Sequence, residues 1–175
     1  MSMIKIFGLK QTWYDSENYA IEAVRHKDTT IGSKAVNWLF DGKDLRCQLP
    51  SGRTINYPGA HLDYTDSPVG KKLTLFYWAV NSTTKRWDKE KTYGGKIVEN
   101  ITQAVARDIL AQAMLRVEKA GYPVIFSVHD EIVSEVPENK GSLDDFRRLL
   151  CVPTSWMAGL PIKAECWSGK RYKKT

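Results

Sequence analysis

Residues 124–136 read VIFSV–HDE–IVSEV: two short apolar runs, Val124–Val128 and Ile132–Val136, separated by His129, Asp130 and Glu131 and closed by Pro137. Each run is too short for a helix and rich in β-branched residues, so the stretch predicts a β-hairpin. Adjacent carboxylates in an apolar sheet must sit at a hairpin tip or strand end, because burying them unpaired is strongly disfavoured. A solvated turn is the ordinary explanation of such a tip. Asp and Glu, however, are poor substitutes for the Asn-Gly or Asp-Gly that tight hairpin turns prefer. A tip that keeps two carboxylates and an imidazole suggests a hard cation, and Mg²⁺ commonly binds through one or two carboxylates plus substrate phosphates.

Working outward, residues 93–120 contain no proline, and Ile97, Ile101, Val105 and Ile109 recur every four residues. Gly121 and Pro123 then supply a stop, so the spacing predicts a long helix over about 95–120 that packs on the hairpin. On that helix Lys96, Asn100, Gln103 and Arg107 fall within about 60° of one another and form a polar stripe. A solvated face is the plain alternative for such a stripe. Downstream, Ser142-Leu143-Asp144-Asp145 resembles a capping box opening a helix through Phe146, Leu149 and Leu150. The alternation in PIKAECW, residues 161–167, predicts a last strand.

Upstream, LRCQL, Pro50-Ser51-Gly52 and RTINY read as a second hairpin between Leu45 and Tyr57. Residues 73–80 are rich in strand formers, NSTTK turns the chain, and RWDKEKTY returns. Tyr19, Ala20, Ala23 and Val24 predict a short helix over 13–26, with Ser16 as its cap. Together these elements predict an α+β fold occupying residues 1–175 as one domain, with a small antiparallel sheet on a long helix.

Composition sets bounds. The chain has 175 residues, 42% of them apolar and 26% charged. A chain of this length buries roughly 68–70% of its unfolded surface, so a core needs no disulfides. The three cysteines, Cys47, Cys151 and Cys166, have no C-x-x-C spacing, which argues for reduced thiols over zinc. No apolar run approaches the ~20 residues of a membrane helix and no signal-peptide core opens the chain, so a cytoplasmic protein without membrane contact is expected. The net charge is +6. Basic residues cluster at 85–96 (Lys85, Arg86, Lys89, Lys91, Lys96) and 163–175 (Lys163, Lys170, Arg171, Lys173, Lys174), interleaved with Trp87, Trp167 and Tyr172. That mixture suits nucleic-acid surfaces, although each cluster alone is commonly a solvated face.

Four blocks, in order, now carry a resemblance: LPSGRTINYP at 49–58, TYGGKIVENITQAVARDIL at 92–110, the VHDE hairpin, and GLPIKAECWSGKRYKK at 159–174. Together they resemble the C-terminal palm portion of family A DNA polymerases, most closely the phage-type members, and VHDE looks like motif C of that family. The resemblance runs from about Trp13 onward. It implies a contribution to two-metal nucleotidyl transfer, which joins a primer 3′-hydroxyl to the α-phosphate of a deoxynucleoside triphosphate. Asp130 matches the motif C metal ligand, Glu131 a neighbouring acid with a supporting role in the metal site, and His129 a contact to the primer terminus. Gln103 matches a duplex contact of the palm helix; Asn100 and Arg107 share its stripe as weaker candidates for primer-template DNA, and Lys96 and Arg107 are expected to meet phosphates. Arg53 is expected either at a phosphate or, preferentially, paired with an acid.

Two further motifs of that family are missing from these residues: the motif A aspartate and the motif B fingers helix. The expectation is therefore a subunit that is inactive alone and completed by a partner polypeptide carrying motifs A and B. Self-association through apolar surface left uncovered is expected as an alternative fate. A non-catalytic prophage remnant with residual DNA binding is the competing reading, and a small metal-dependent nuclease the third.

Overall fold

The computed structural model describes residues 3–33, 35–68 and 70–172. In chain order these form α1 (Met3–Arg25), β1 (Ile31–Gly32), β2 (Asn37–Phe40), β3 (Leu45–Gln48), β4 (Thr54–Tyr57), β5 (His61–Ser67), β6 (Gly70–Val80), β7 (Trp87–Thr92), α2 (Gly94–Lys119), β8 (Val124–Val128), β9 (Glu131–Ser134) and α3 (Leu143–Leu150), followed by a 3-10 turn at Ser155–Met157. The fold is mixed α+β, and every sheet is antiparallel: β1-β2-β3-β4, β5-β6-β7 and β8-β9. The chain divides into two compact units, Met1–Val105 and Ala106–Thr175.

The first unit holds the larger buried cluster. Along β3 the side chains alternate, with Leu45 and Cys47 buried and Arg46 and Gln48 exposed, so one face of the sheet is apolar. The β3–β4 hairpin pairs Leu45 with Tyr57 and Cys47 with Ile55. Its turn closes as the sequence predicts: Leu49 N–H donates to the Arg53 carbonyl and Gly52 takes φ +87°, a conformation that suits glycine. Tyr57 then packs between Trp38 at 5.7 Å and Tyr77 at 5.0 Å, the latter edge-on. Ala20, Ala23, Leu75 and Ile97 complete this buried cluster. Burial pushes the Cys47 thiol up to about 12, so it behaves as an inert apolar side chain.

Two local devices fix the start of α2 in this unit. The Glu17 carboxylate accepts the Gly94 N–H at 3.2 Å and takes the Lys72 ammonium at 2.6 Å. A carboxylate at a helix N-terminus satisfies an orphan donor and complements the helix dipole. Gly94 itself is required by close approach, since a Cβ there would meet the Trp13 carbonyl oxygen at 2.1 Å.

The second unit begins within α2, which ends in a Schellman arrangement. Tyr122 N–H donates to the Val117 carbonyl and Gly121 N–H to the Glu118 carbonyl, with Gly121 at φ +87°. The Glu118 side chain accepts the Val124 N–H at 2.6 Å, so the last turn of the helix is tied to the first residue of β8. Ser142 caps α3 through its hydroxyl to Asp145 N–H at 3.1 Å, as the capping box predicts. Arg116 donates to the Leu149 and Leu150 carbonyls, closing the C-terminal end of α3.

Three expectations need correction. The first helix begins at Met3, so Ser16 lies in its interior and is buried instead of capping it. The strands β1, β2 and β5 have no counterpart in the sequence reading. Residues 161–167 form no strand, yet their exposure alternates as expected, with Ile162, Ala164 and Cys166 turned inward. The segment lies against Arg147 and Cys151 of the α3 region, so one face is covered without a hydrogen-bonded ladder. Alternation records a covered face; a strand also needs a partner edge.

Candidate functional site

The β8–β9 hairpin pairs Val128 with Glu131, leaving His129 and Asp130 as a two-residue turn. His129 adopts φ +53°, in the left-handed region, and Asp130 does not join it there. Positive φ at the first turn residue only is the sign pattern of a type II′ turn, whose first position favours glycine. A non-glycine residue there costs about 1–2 kcal/mol. The consequence is directional: His129 and Asp130 both project into solvent at the tip, while Glu131 opens β9 and is half-buried. A bulge beside Ile125, between the Val124 and Phe126 pairs, adds local twist to β8.

Glu131 is held from a distance in sequence. The Tyr172 hydroxyl donates to Glu131 Oε2 at 2.7 Å, and its ring meets Phe126 edge-on at 5.3 Å. The hydrogen bond to Glu131 raises the Tyr172 phenol above the ordinary tyrosine value, because ionising it would lose the bond and set two negative charges together. Tyr172 thus fixes one oxygen of the carboxylate that follows Asp130. Lys170, Arg171 and Trp167 line one open groove of about 850 Å³ together with Tyr172, Phe126 and Phe146. Lys173 and Lys174 lie outside the described residues.

Asp130 and Glu131 are consecutive hard oxygen donors, a set suited to Mg²⁺. Among the described residues no group of three His, Cys, Asp or Glu side chains converges as metal ligands.

The remaining candidates belong to α2. Lys96, Asn100 and Gln103 fall in the first unit. Gln103 is exposed and donates to Glu99 Oε1 at 3.2 Å, an intrahelical bond easily exchanged for an external acceptor. Asn100 Nδ2 lies 3.5 Å from the Tyr57 hydroxyl, at the long limit of a hydrogen bond. Arg53 donates to the Ala104 carbonyl at 2.9 Å and so braces the β3–β4 hairpin on α2. Arg107, one turn beyond Gln103, is exposed and falls in the second unit.

The chain is 39% identical over 162 residues, 93% of its length, to a DNA polymerase of Bacillus phage SP02. It matches a stretch of a phage DNA polymerase. The match covers 24% of that relative, so the chain spans about a quarter of the polymerase it resembles. No family model matches the chain, and no solved structure does. Among the described residues no helix is long and apolar enough to cross a membrane.

Sequence reasoning singled out His129, Asp130 and Glu131 and missed the clamp on the last of them. Tyr172 stands out in the sequence only as an aromatic in a basic tail, 41 residues from its partner. No local pattern announces that pairing.

Proposed function

We propose that this chain supplies the motif C part of a family A-type DNA polymerase palm, acting on primer-template DNA and deoxynucleoside triphosphates. Motifs A and B would come from outside these residues. The observation that supports this reading best is the hairpin tip: a left-handed His129 turns Asp130 out to solvent immediately before a Glu131 held by Tyr172. A solvated turn has no need of a strained residue or a fixed carboxylate, and strain of this kind collects at functional sites.

In this role Asp130 and Glu131 would hold Mg²⁺, and the ion when bound supplies Lewis-acid stabilisation of charge on the transferring phosphate. Asp130, unencumbered at the tip, presents its carboxylate to the reacting centre. Glu131 is oriented by Tyr172 and needs less reorganisation when it engages. His129 offers an imidazole donor beside the primer terminus. Gln103, Asn100, Arg107 and Lys96 line α2 as contacts to the duplex, where phosphate and sugar contacts set register.

The test is primer extension with this chain alone and with the chain joined to, or mixed with, a polymerase portion carrying motifs A and B. Extension should appear only in the completed assembly. Extension by residues 1–175 alone, in protein free of other polymerases, would overturn the claim that they supply one part of the centre.

A further inference from the structure

The β5-β6-β7 sheet plays no part in the proposed site, and its outer face is unusual. Strand alternation sorts the side chains of β7 by charge. Trp87, Lys89 and Lys91 lie opposite Val80, Trp78 and Phe76, and share one face with them. Asp88 and Glu90 lie opposite Ala79 and Tyr77 on the other face, where Glu90 accepts from Asn81 at 2.6 Å. The acids of the segment are thereby removed from the face that carries its lysines. The 81–86 turn adds Lys85 and Arg86 beside Trp87, both exposed. Opposing charge on this face comes from Asp63 of β5, 3.6 Å from Lys89, and, at its far end, from Glu17, paired with Lys72.

The two indoles on this face are exposed, and Trp78 and Phe76 are packed against neighbours. Trp87 is 59% exposed and Trp78 41%. Trp78 lies on the backbone of Gly59, where a Cβ would come within 2.5 Å of its ring, and Gly59 takes φ +59°. Lys89 sits 4.2 Å over the Phe76 ring, and His61 stacks on Phe76 at 5.7 Å between centroids. Positioned indoles open to solvent, ringed by cations, do not suit an acidic protein surface particularly; they suit unpaired bases, which stack on aromatic planes while lysines meet the phosphates. A duplex hides its base faces and would use the lysines alone.

We infer that this sheet face is a second nucleic-acid surface, which binds single-stranded DNA by stacking bases on Trp78 and Trp87 and contacting phosphates with Lys85, Arg86, Lys89 and Lys91. It needs neither Asp130 nor any metal, so it stands or falls apart from the proposed catalytic role.

The probe is a short oligothymidylate, added to the full chain while tryptophan fluorescence is followed at several salt concentrations. Binding should quench the fluorescence, and Trp78→Phe/Trp87→Phe should remove most of the quenching. Trp87→Ala should weaken binding about 5- to 150-fold, the range for losing one stacked base. Lys89→Ser/Lys91→Ser should lower the slope of log affinity against log salt by about 1.4, at ~0.7 for each phosphate contact on a single strand. Adding a metal chelator should leave quenching and affinity as they are. Circular dichroism keeps the comparison to folded variants, and the tryptophan-to-phenylalanine pair retains packing if the alanine variant does not fold. Unchanged affinity in the folded tryptophan and lysine variants overturns the inference. So does duplex DNA binding as tightly as the single strand with the same quenching. A change in sedimentation of these variants without a change in DNA binding would assign the face to protein contact and overturn it too.

Discussion

In the first unit Trp38, Leu45, Cys47, Tyr57, Leu75 and Ile97 are all closed to water, whereas in the second Ile125, Phe126 and Val128 of the carboxylate hairpin all stay exposed. No residue of α3 is buried, and none of β8 or β9. The buried apolar cluster built on α1, three strands of the first sheet and β6 lies wholly in the first unit. Burying a large apolar side chain contributes roughly 1.5–3 kcal/mol, so the two units draw stability from different sources. The first rests mainly on this packed cluster. The second buries fewer apolar side chains, Ala113, Val117 and Met157 among them, and adds local devices: a Schellman stop, a serine cap, arginine on helix carbonyls and the Tyr172 hydrogen bond. Functional elements tend to come from the less stable end of a fold, because binding requires them to adjust.

The comparison can be broken by point changes. The largest expected effect is at Tyr57, where alanine should cost about 3–5 kcal/mol, read from the urea midpoint. Ile125→Ala, at a 55% exposed site, should cost under about 1 kcal/mol in the same experiment. Equal losses would show that the hairpin is as well cored as the first unit. Next comes Gly94→Ala, which should cost about 1–3 kcal/mol because the new methyl meets the Trp13 carbonyl and α1 and α2 must part. A neutral result would mean that the α1–α2 approach gives way easily.

Smaller effects sharpen the picture of the tip. His129→Gly removes the left-handed penalty and should slow amide exchange in β8 and β9 by up to about fivefold, a gain of ~1 kcal/mol, with the global midpoint nearly unchanged. Unaltered exchange would show that the turn carries no strain.

The smallest effect is a pH dependence. The folded Tyr172 phenol titrates above its unfolded value, so the clamp's contribution is fully present below about pH 10 and is lost as pH rises through the folded value. Ultraviolet titration of wild type against Tyr172→Phe should reveal one late-titrating phenol, and Glu131→Gln should bring it back toward the ordinary value. A phenol unmoved by Glu131→Gln would remove the clamp.

Legibility in the sequence followed the range of the physics. The ends of α2, the cap of α3, the 50–52 turn and the HDE tip were readable because each is set by a few neighbouring residues: Gly121 and Pro123, Ser142, Gly52, and two carboxylates that cannot be buried. The β6–β7 pair was readable for the same reason, since a short polar turn joins two strand formers. Partnership over longer range was not readable. Whether 161–167 finds an edge, and whether Tyr172 finds Glu131, depends on the folded surface and not on the segment itself. The start of α1 was not legible at Ser16, because Ser16 and Glu17 are buried within the helix and neither opens it. The charge sorting of β7 lies in the sequence as alternation within the basic cluster at 85–96.

The central claim is that the exposed tip of the least-cored hairpin carries the chemistry. Primer extension by the assembly completed with motifs A and B, comparing wild type with Asp130→Asn, tests it most directly. Asparagine keeps the size of the side chain and an exposed site tolerates it, so the urea midpoint should hold within about 0.5 kcal/mol. The extension rate should fall at least ~100-fold, the effect of losing several kcal/mol of charge stabilisation at the reacting phosphate. A full extension rate with Asp130→Asn in a folded assembly would contradict the account and return the HDE tip to an ordinary solvated turn.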